Sequence, residues 1–348
     1  MALSATTIRD ALRQVHFPGF SRDIVSFGIV KAIAMTGRDV RVELRVVTRD
    51  PNVAGQIRAA AERALAGLPG VGRVDVQVVS ELPAPPPAQT LPPPQKIDGV
   101  KRVVAVGSGK GGVGKSTVAV NLACALHRLG QRIGVMDADI YGPSVPKMMG
   151  RNDRPTVTDD KLDPVEHAGL KLMSMALLLD ESQPVIWRGP MINKAIQQFA
   201  HEVNWGDLDL LLVDLPPGTG DAQLSLCQTI ALDGGVIVTT PQDVALDVAR
   251  RGIAMFARVN VPILGLIENM SCYVCPHCGQ RDDIFGHGGG RQEAERLRVP
   301  FLGEVPLFAE IRACGDRGEP VVVAAPDSPP AQAFMACAKA LQQQLAGR

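Results

Sequence analysis

The sequence predicts an α/β protein, in which a domain with a mostly parallel sheet between helices follows a small α+β domain. Short apolar runs alternate with helix-length segments from residue 99 to the end of the chain, which is typical of a parallel sheet covered on both faces. A proline-rich segment, 82–98, separates this region from the part before it. With 348 residues and 46% hydrophobic residues, the chain is long and apolar enough for two packed domains.

The composition excludes several classes of protein. Lys and Arg together number 36, as do Asp and Glu, so the net charge is zero and a strongly basic nucleic-acid-binding protein is not expected. No apolar run has the ~20 residues that a membrane span needs, and residues 1–16 lack the apolar core of a secretory signal. Seven cysteines, three of them in one short loop, favour a thiol or metal site over disulfides. We therefore expect a cytoplasmic protein with no membrane or nucleic-acid partner.

The N-terminal domain is predicted to span residues 1–81. Its elements are read from β-branched runs, from a turn at 36–39 and from Asp50-Pro51, a favourable N-cap followed by proline at the first helical position. They are a helix over 6–15, strands over 24–34 and 40–47, a helix from Asp50 to 68 and a strand over 74–79. The linker 82–98 holds seven prolines between 82 and 95, which predicts extended polyproline II structure.

The C-terminal domain is predicted to span residues 99–348. Apolar runs predict its strands at 102–107, 132–136, 208–213, 236–239 and 263–267. Helices are predicted from the glycine-rich loop to 129 and over 243–259. A last helix, 331–345, carries an apolar stripe with a single lysine, Lys339, which indicates packing against the core rather than a membrane anchor.

A nucleotide-binding motif lies between the first of these strands and its helix. Residues 109–116 fit the pattern G-x-x-x-x-G-K-[ST], in which glycines let successive N–H groups point at phosphate oxygens. Lys115 is expected to contact the β- and γ-phosphates of ATP, Ser116 to bind Mg²⁺ and Thr117 to bond the α-phosphate. The predicted phosphate loop consists of Gly109, Lys110, Gly111, Gly112, Val113, Gly114, Lys115, Ser116 and Thr117.

Acidic residues follow two of the predicted strands. Asp214 ends an apolar run and suits indirect binding of Mg²⁺ beside the phosphate loop, while Gly218 in the following Pro-Pro-Gly is expected to sense the γ-phosphate through its N–H. Asp137 and Asp139 end the second strand in the same way. We assign the metal to Asp137 and the attacking water to Asp139.

A cysteine-rich loop, 271–279, contains the pattern C-x-x-C-x-x-C. Two thiolates three residues apart can face one metal, and the Pro and Gly of Cys275-Pro-His-Cys278-Gly shape such a turn. A tetrahedral zinc or a four-iron cluster needs four ligands, and no further C-x-x-C exists outside the loop, so a symmetric dimer would supply the other two. Cys272 is an extra thiol. Cys124, Cys227 and Cys337 are expected to be buried on helices, and Cys314 to lie in a loop.

The string GKGGVGKST at 109–117 resembles the deviant phosphate loop of the MinD, ParA and nitrogenase-iron-protein class. The resemblance implies a nucleotide sandwich dimer in which Lys110 reaches the partner's nucleotide, and it implies that Asn269 contacts the purine. With DADIYGPS at 137–144, WRGPM at 187–191, DLPPGTGD at 214–221 and the cysteine pair, the chain closely resembles the Mrp/ApbC family of iron–sulfur cluster carrier ATPases. Residues 23–31 and 68–71 resemble the iron–sulfur assembly accessory domain, also called domain of unknown function 59.

The resemblance implies a homodimeric ATPase that binds one cluster, expected to be [4Fe–4S], between its two chains through Cys275 and Cys278. It also implies that the protein transfers this cluster to acceptor apoproteins. Two alternatives stay open at the level of sequence. One is a positioning ATPase of the ParA/MinD type, and the other is a P-loop ATPase whose cysteine pair holds a structural zinc, since both metals use thiolates.

Overall fold

The computed structural model describes residues 3–18, 22–48, 50–81, 94–140, 142–178 and 189–347. Most of the predicted linker and Trp187 and Arg188 of the WRGPM segment lie outside these residues. The chain divides into two compact units, residues 1–90 and 91–348. Ile97 is buried in the core of the second unit, so the end of the predicted linker belongs to that unit.

The N-terminal unit is a three-stranded sheet with two helices. Strand β2 pairs antiparallel with β1 and parallel with β3, and one face of β2 is buried in the unit's core. Asp50 caps the second helix by accepting a hydrogen bond from the N–H of Asn52, as predicted for its N-cap role. The elements are α1 (Ala5–Leu12), β1 (Val30–Thr36), β2 (Asp39–Val47), α2 (Pro51–Ala66) and β3 (Val74–Glu81).

One predicted strand of this unit is shorter than expected. The sequence favoured a strand over 24–34, but β1 begins at Val30. The Asp23 carboxylate accepts hydrogen bonds from the N–H groups of Val25 and Ser26 and from the Ser26 hydroxyl, which holds the segment in a turn. This local capping outweighs the β-branched composition.

The C-terminal unit is built on one large sheet. Its strands are β4 (Val103–Ser108), β5 (Ile133–Asp137), β8 (Val165–His167), β9 (Leu170–Ser174), β10 (Leu210–Asp214), β11 (Gly234–Thr239), β12 (Ile263–Val274), β13 (Arg281–Asp282) and β14 (Phe301–Leu307), with β6 (Val157–Thr158) and β7 (Lys161–Leu162) forming a separate ribbon. The order is β13-β12-β11-β4-β10-β5-β9-β8, and β14 also pairs with β12. Every described pairing in this sheet is parallel except β8 with β9 and β12 with β13.

Helices cover both faces of this sheet, as the near-continuous apolar strands predicted. The helices are α3 (Lys115–Arg128), α4 (Val145–Met148), α5 (Gly189–His201), α6 (Asp221–Thr229), α7 (Asp243–Arg258), α8 (Gly289–Leu297), α9 (Ala309–Arg317), α10 (Val321–Ala324) and α11 (Pro329–Ala346). Helices α3 and α11 share one core, and α5, α6 and α7 contribute to the other.

The apolar stripe of α11 is buried, as predicted. Phe334, Ala338 and Leu341 are fully buried in the core shared with α3. Among the described residues, no helix is long and apolar enough to cross a membrane.

Candidate nucleotide site and cysteine hairpin

The phosphate loop connects the end of β4 to the start of α3. A Cβ on Gly109 would lie 2.3 Å from the carbonyl carbon of Val248, so only glycine fits there. Gly112 and Gly114 have φ values of +82° and +81°, which side chains disfavour. Gly114 is the N-cap of α3 and no side-chain hydrogen bond caps the helix, so its first N–H groups are free of a side-chain acceptor and suited to bind phosphate oxygens.

Lys115 is buried between two of the predicted acids. Its Nζ lies 2.5 Å from Oδ1 of Asp214 and 3.9 Å from Oδ2 of Asp139. The side chain of Lys115 is 6% exposed and that of Asp214 is fully buried. Burial raises the pKa of the Asp214 carboxyl, and the charge of Lys115 opposes the shift. Oδ2 of Asp214 is buried without a hydrogen-bond partner among the described atoms, which fits an acceptor for a bound water or for the shell of a cation.

Asp137 lies next to Asp214 because β5 and β10 are adjacent in register. Its oxygens accept hydrogen bonds from the N–H groups of Asp139, Ser144 and Val145 and from the Ser174 hydroxyl. Burial, reinforced by the charge of Asp214, raises the pKa of Asp137 to about 7. Asp137 thus fixes the start of α4 beside the end of β5. The roles assigned to Asp137 and Asp139 stay predictions.

Lys110 and Gly218 lie at the same edge of the sheet. Nζ of Lys110 is 3.5 Å from Oε1 of Gln242, a long contact that leaves the ammonium lightly held. The N–H of Gly218 donates to the carbonyl of Ser108 at 3.0 Å, and the φ of Gly218 is +100°. To contact a γ-phosphate, this N–H must exchange the Ser108 carbonyl for a phosphate oxygen, which is the behaviour expected of a switch.

A cavity of about 300 Å³ opens beside the phosphate loop. Asn269 lines it and donates one N–H of its side-chain amide to the carbonyl of Val113 at 2.8 Å, which leaves the second N–H and the amide oxygen for a base. Asn269 was expected just after a strand but lies inside β12, which runs on to Val274. No local motif marks the lining residues that sequence reasoning missed, which include Lys147, Met148, Met270, Phe308, Ile311, Arg312 and Asp316.

Cys275 and Cys278 lie in the turn that joins β12 to β13. The N–H of Cys275 donates to the carbonyl of Gln280 at 2.9 Å, and the N–H of Gly279 donates to the carbonyl of Cys275 at 2.8 Å. The N–H groups of His277 and Cys278 lower the pKa of the Cys275 thiol. Cys278 is exposed and Cys275 is partly exposed. This turn, in which backbone donors face a cysteine sulfur, suits a pair of metal-binding thiolates.

The described residues supply no further ligands around this pair. They contain no group of three or more His, Cys, Asp and Glu side chains placed to hold a metal. Cys272 is only 6% exposed on β12, so this extra thiol is not accessible beside the pair. His287 contacts Arg281, with 2.6 Å between its Nδ1 and NH2 of the arginine. Within the described residues, one chain therefore offers two accessible cysteine side chains at this turn.

The other cysteines are structural. Cys124, Cys227 and Cys337 lie on helices as predicted, and burial raises the pKa of each thiol to about 12. Cys314 was expected in a loop, but it lies in α9 and is 1% exposed. The segment starts after Phe308 and ends at Gly318, whose φ of +80° is typical of a helix C-terminus.

Comparison with known proteins gives two family matches. The family described as "NUBPL iron-transfer P-loop NTPase" matches residues 99–342. The family described as "Iron-sulfur cluster assembly protein" matches residues 5–78. Together they correspond to the two units of the structure.

Three individual proteins illustrate the similarity. The iron-sulfur cluster carrier protein of Deinococcus radiodurans is 48% identical and that of Synechocystis 44% identical; the matches cover 97% and 99% of this chain and 95% and 98% of the relatives. A solved nucleotide-binding protein from Archaeoglobus fulgidus, in complex with ADP, has 37% sequence identity and a TM-score of 0.60. That match covers 68% of this chain and 93% of the other.

Proposed function

Because the chain belongs to the family of NUBPL iron-transfer P-loop NTPases, we propose that it is an ATP-dependent iron–sulfur cluster carrier. Two chains would bind one [4Fe–4S] cluster between them and transfer it to acceptor apoproteins. The observation that carries the proposal is the single strand β12, which lines the nucleotide cavity at Asn269 and ends in the turn with Cys275 and Cys278.

The nucleotide half of the proposal rests on the phosphate loop and its acids. Lys115 would exchange its contact with Asp214 for contacts to the β- and γ-phosphates of ATP. Ser116 and the unpaired Oδ2 of Asp214 suit Mg²⁺ and its water shell, since Mg²⁺ prefers oxygen ligands and retains several waters. The side-chain amide of Asn269 keeps its oxygen and one N–H for the polar edge of a purine, which suits a nucleotide base in the cavity.

The cluster half rests on the number of thiolates. A four-iron cluster takes about four cysteine ligands, and this turn offers two accessible ones, Cys275 and Cys278. A two-fold axis close to the turn would bring two such pairs together, because the same residues of each chain meet across an isologous interface. Since the cluster is cargo, exposed ligands at the end of a hairpin suit its release as well as its binding.

In a homodimer, Lys110 would act on the nucleotide bound by the partner chain. Its ammonium is lightly held by Gln242 at 3.5 Å, so it is available to reach the γ-phosphate bound in the partner chain. Binding of ATP would then favour one arrangement of the two chains, and hydrolysis the other, which would change how tightly the shared cluster is held.

The proposal is tested by anaerobic reconstitution with iron and sulfide. We expect brown protein with about four irons and four sulfides per dimer, and faster transfer to an apo-ferredoxin with MgATP than without it. A dimer that binds one zinc tightly and takes up no iron would instead support a structural zinc site. Normal iron loading with no effect of MgATP on transfer would contradict the ATP dependence.

A further inference from the structure

The two accessible cysteines lie on an arm of the sheet, which we call the cysteine hairpin, residues 271–282. Tyr273 and Val274 of β12 pair antiparallel with Asp282 and Arg281 of β13, and the turn between them holds Cys275 and Cys278. β12 leaves its neighbour β11 after the pair Thr239–Glu268. Beyond this pair, β12 is bonded to the rest of the sheet through β14, with which Tyr273 still pairs at Leu307.

The strand is irregular where the hairpin begins. In the pairing of β12 with β14, Asn269 faces Val305 and Tyr273 faces Leu307, so four steps along β12 oppose two along β14. This bulge contains Met270, whose φ is +57°. The other described non-glycine residues with positive φ lie in turns or at helix ends, whereas Met270 lies within a strand. A methionine in the left-handed region is strained, and bulges of this kind re-aim the strand that follows.

The segment that connects the hairpin to α8 contains two glycines with positive φ. Gly286 and Gly288 have φ values of +92° and +69°, which cost glycine little. After them α8 is fixed to the body, because the Arg250 guanidinium binds both carboxylate oxygens of Glu293 at 2.7 Å. The hairpin is thus bounded by a glycine pair on one side and by Met270 on the other.

Met270 also lines the nucleotide cavity. It follows Asn269, whose amide is bonded to the Val113 carbonyl of the phosphate loop. A Cβ built on Gly114 would lie 3.7 Å from the terminal methyl of Met270, so this side chain reaches the start of α3. A purine seated in the cavity must contact Met270 or displace it.

We infer that Met270 is the positioning residue through which the bound nucleotide sets the orientation of the cysteine hairpin. The base contacts the Met270 side chain, and the bulge converts a shift of that side chain into a rotation of the end of β12, which leads into the turn with Cys275. This inference rests on the proposed function for its biological meaning, but the coupling itself requires neither a cluster nor hydrolysis.

The test measures nucleotide-dependent labelling of the cysteines in the full-length, cluster-free protein. Iodoacetamide is used with and without saturating MgADP or a non-hydrolysable ATP analogue, and the modified peptides are quantified by mass spectrometry. The five remaining cysteines are buried, so labelling reports on the hairpin. In the wild type we expect nucleotide to change the labelling rate of Cys275 and Cys278 about fivefold or more, the lower range of allosteric coupling.

Two variants remove the side chain while keeping the backbone conformation accessible. Met270→Gly tolerates positive φ without strain, and Met270→Asn uses the residue type that most readily replaces glycine there. Both should bind nucleotide, measured by titration with a fluorescent ADP, and both should lose the effect of nucleotide on labelling. Ile311→Ala is the matched control, since Ile311 lines the same cavity from α9. It should weaken binding yet retain the full labelling effect at saturation.

The outcomes separate this inference from the proposed function. A wild-type protein whose labelling ignores bound nucleotide, or glycine and asparagine variants that respond like the wild type, would overturn the role of Met270. Iron loading in such a protein would leave the carrier proposal standing. Conversely, a normal labelling response in a protein that takes up no iron would refute the carrier proposal and leave the coupling intact.

Discussion

Lys115 of the phosphate loop and Asp214 at the end of β10 form a buried ion pair, with 2.5 Å between Nζ and Oδ1. Burial destabilises the ionised form of Asp214, and the charge of Lys115 offsets this effect. A bound γ-phosphate would compete with the Asp214 carboxylate for the lysine ammonium. The pair links the stability of this edge of the sheet to nucleotide binding.

Replacing Lys115 should abolish turnover and also weaken the fold. For Lys115→Ala we expect ATP hydrolysis to fall about 10²–10³-fold, because the phosphates lose their main cation. The free energy of unfolding should fall by about 3–5 kcal/mol, because Asp214 is left buried and unpaired. Steady-state phosphate release and urea unfolding measure the two effects. Iron loading should survive, since the thiolates lie on the hairpin.

The double variant Lys115→Ala/Asp214→Asn is the control for the stability effect. Removing the orphaned charge should restore much of the lost free energy of unfolding, whereas hydrolysis should stay lost. If the loss of free energy of unfolding in the double variant equals the sum of the losses in Lys115→Ala and Asp214→Asn, the two residues are not energetically coupled.

Lys110→Ala should lower hydrolysis by about 10³-fold while nucleotide affinity stays near that of the wild type, if the lysine acts across a dimer as an arginine finger does. Mixing provides the decisive measurement. In a heterodimer of Lys110→Ala and Lys115→Ala chains, the first chain keeps its own Lys115 and receives Lys110 from the second. Activity should therefore return on mixing. Two inactive variants that stay inactive when mixed would place Lys110 in the site of its own chain.

Glu268 gives a pH dependence with a definite sign. It lies in β12, and its buried carboxylate reaches the start of α8, where Oε2 accepts the N–H of Gly290 and Oε1 has no partner among the described atoms. Burial raises its pKa. The folded protein then holds the proton more tightly than the unfolded chain, so stability from this group is greatest below the unfolded pKa, about 4.3, and is lost as pH rises through the folded pKa.

Glu268→Gln removes that titration. The free energy of unfolding of the variant minus that of the wild type should increase from pH 4 to pH 8, by up to about 1.4 kcal/mol for each unit by which the folded pKa is raised. Urea unfolding across this pH series is the measurement. A difference that is flat or that decreases with pH would contradict the sign derived from burial.

The packed start of the C-terminal unit can be tested by truncation. Gln95 exchanges backbone hydrogen bonds with Thr229 and Ala231, and Ile97 is 3% exposed. A fragment beginning at residue 94 should fold and bind ATP. A fragment beginning at 99 should be less stable by about 2–5 kcal/mol, the usual cost of deleting a buried isoleucine. Ile97→Ala in the full chain is the matched control, and equal stability of the two fragments would contradict the packing role.

Much of the fold could be read from the sequence because its signals are local. Short stretches of sequence suffice to recognise the apolar runs of β4, β5, β10 and β11 and the glycine-rich loop after β4. The structure has these strands within a few residues of the predicted bounds. Binary pattern and special glycines are short-range properties, so a single sequence suffices for them.

What could not be read depends on contacts between distant segments. The bulge at Met270 arises from the pairing of β12 with β14, and the Asn269 amide is oriented by the Val113 carbonyl, 156 positions away in the chain. The sequence does not indicate a positive φ at position 270, because methionine rarely adopts the left-handed region. Cys314 was expected in a loop, yet it lies in α9 and packs into the core shared with α3.

The final prediction separates the three cysteines of the hairpin region. Cys275 and Cys278 should both be required for iron loading, whereas Cys272, which is 6% exposed on β12, should not. A bridging four-iron cluster uses about four thiolates, and two chains supply them with one pair each. A third thiol from each chain would exceed the number that one cluster can bind. Each Cys→Ala variant is reconstituted anaerobically and assayed for iron and sulfide.

We expect about four irons per dimer for the wild type and for Cys272→Ala, and close to none for Cys275→Ala and Cys278→Ala. Cys272→Ala is the matched control because it removes the same atom from the same region without removing an accessible thiol. Its replacement should instead lower thermal stability slightly, as for any buried cysteine whose sulfur is lost from a packed strand. Loss of iron from Cys272→Ala with retention in Cys275→Ala or Cys278→Ala would overturn the ligand assignment, because the buried sulfur would then be the one that holds the cluster.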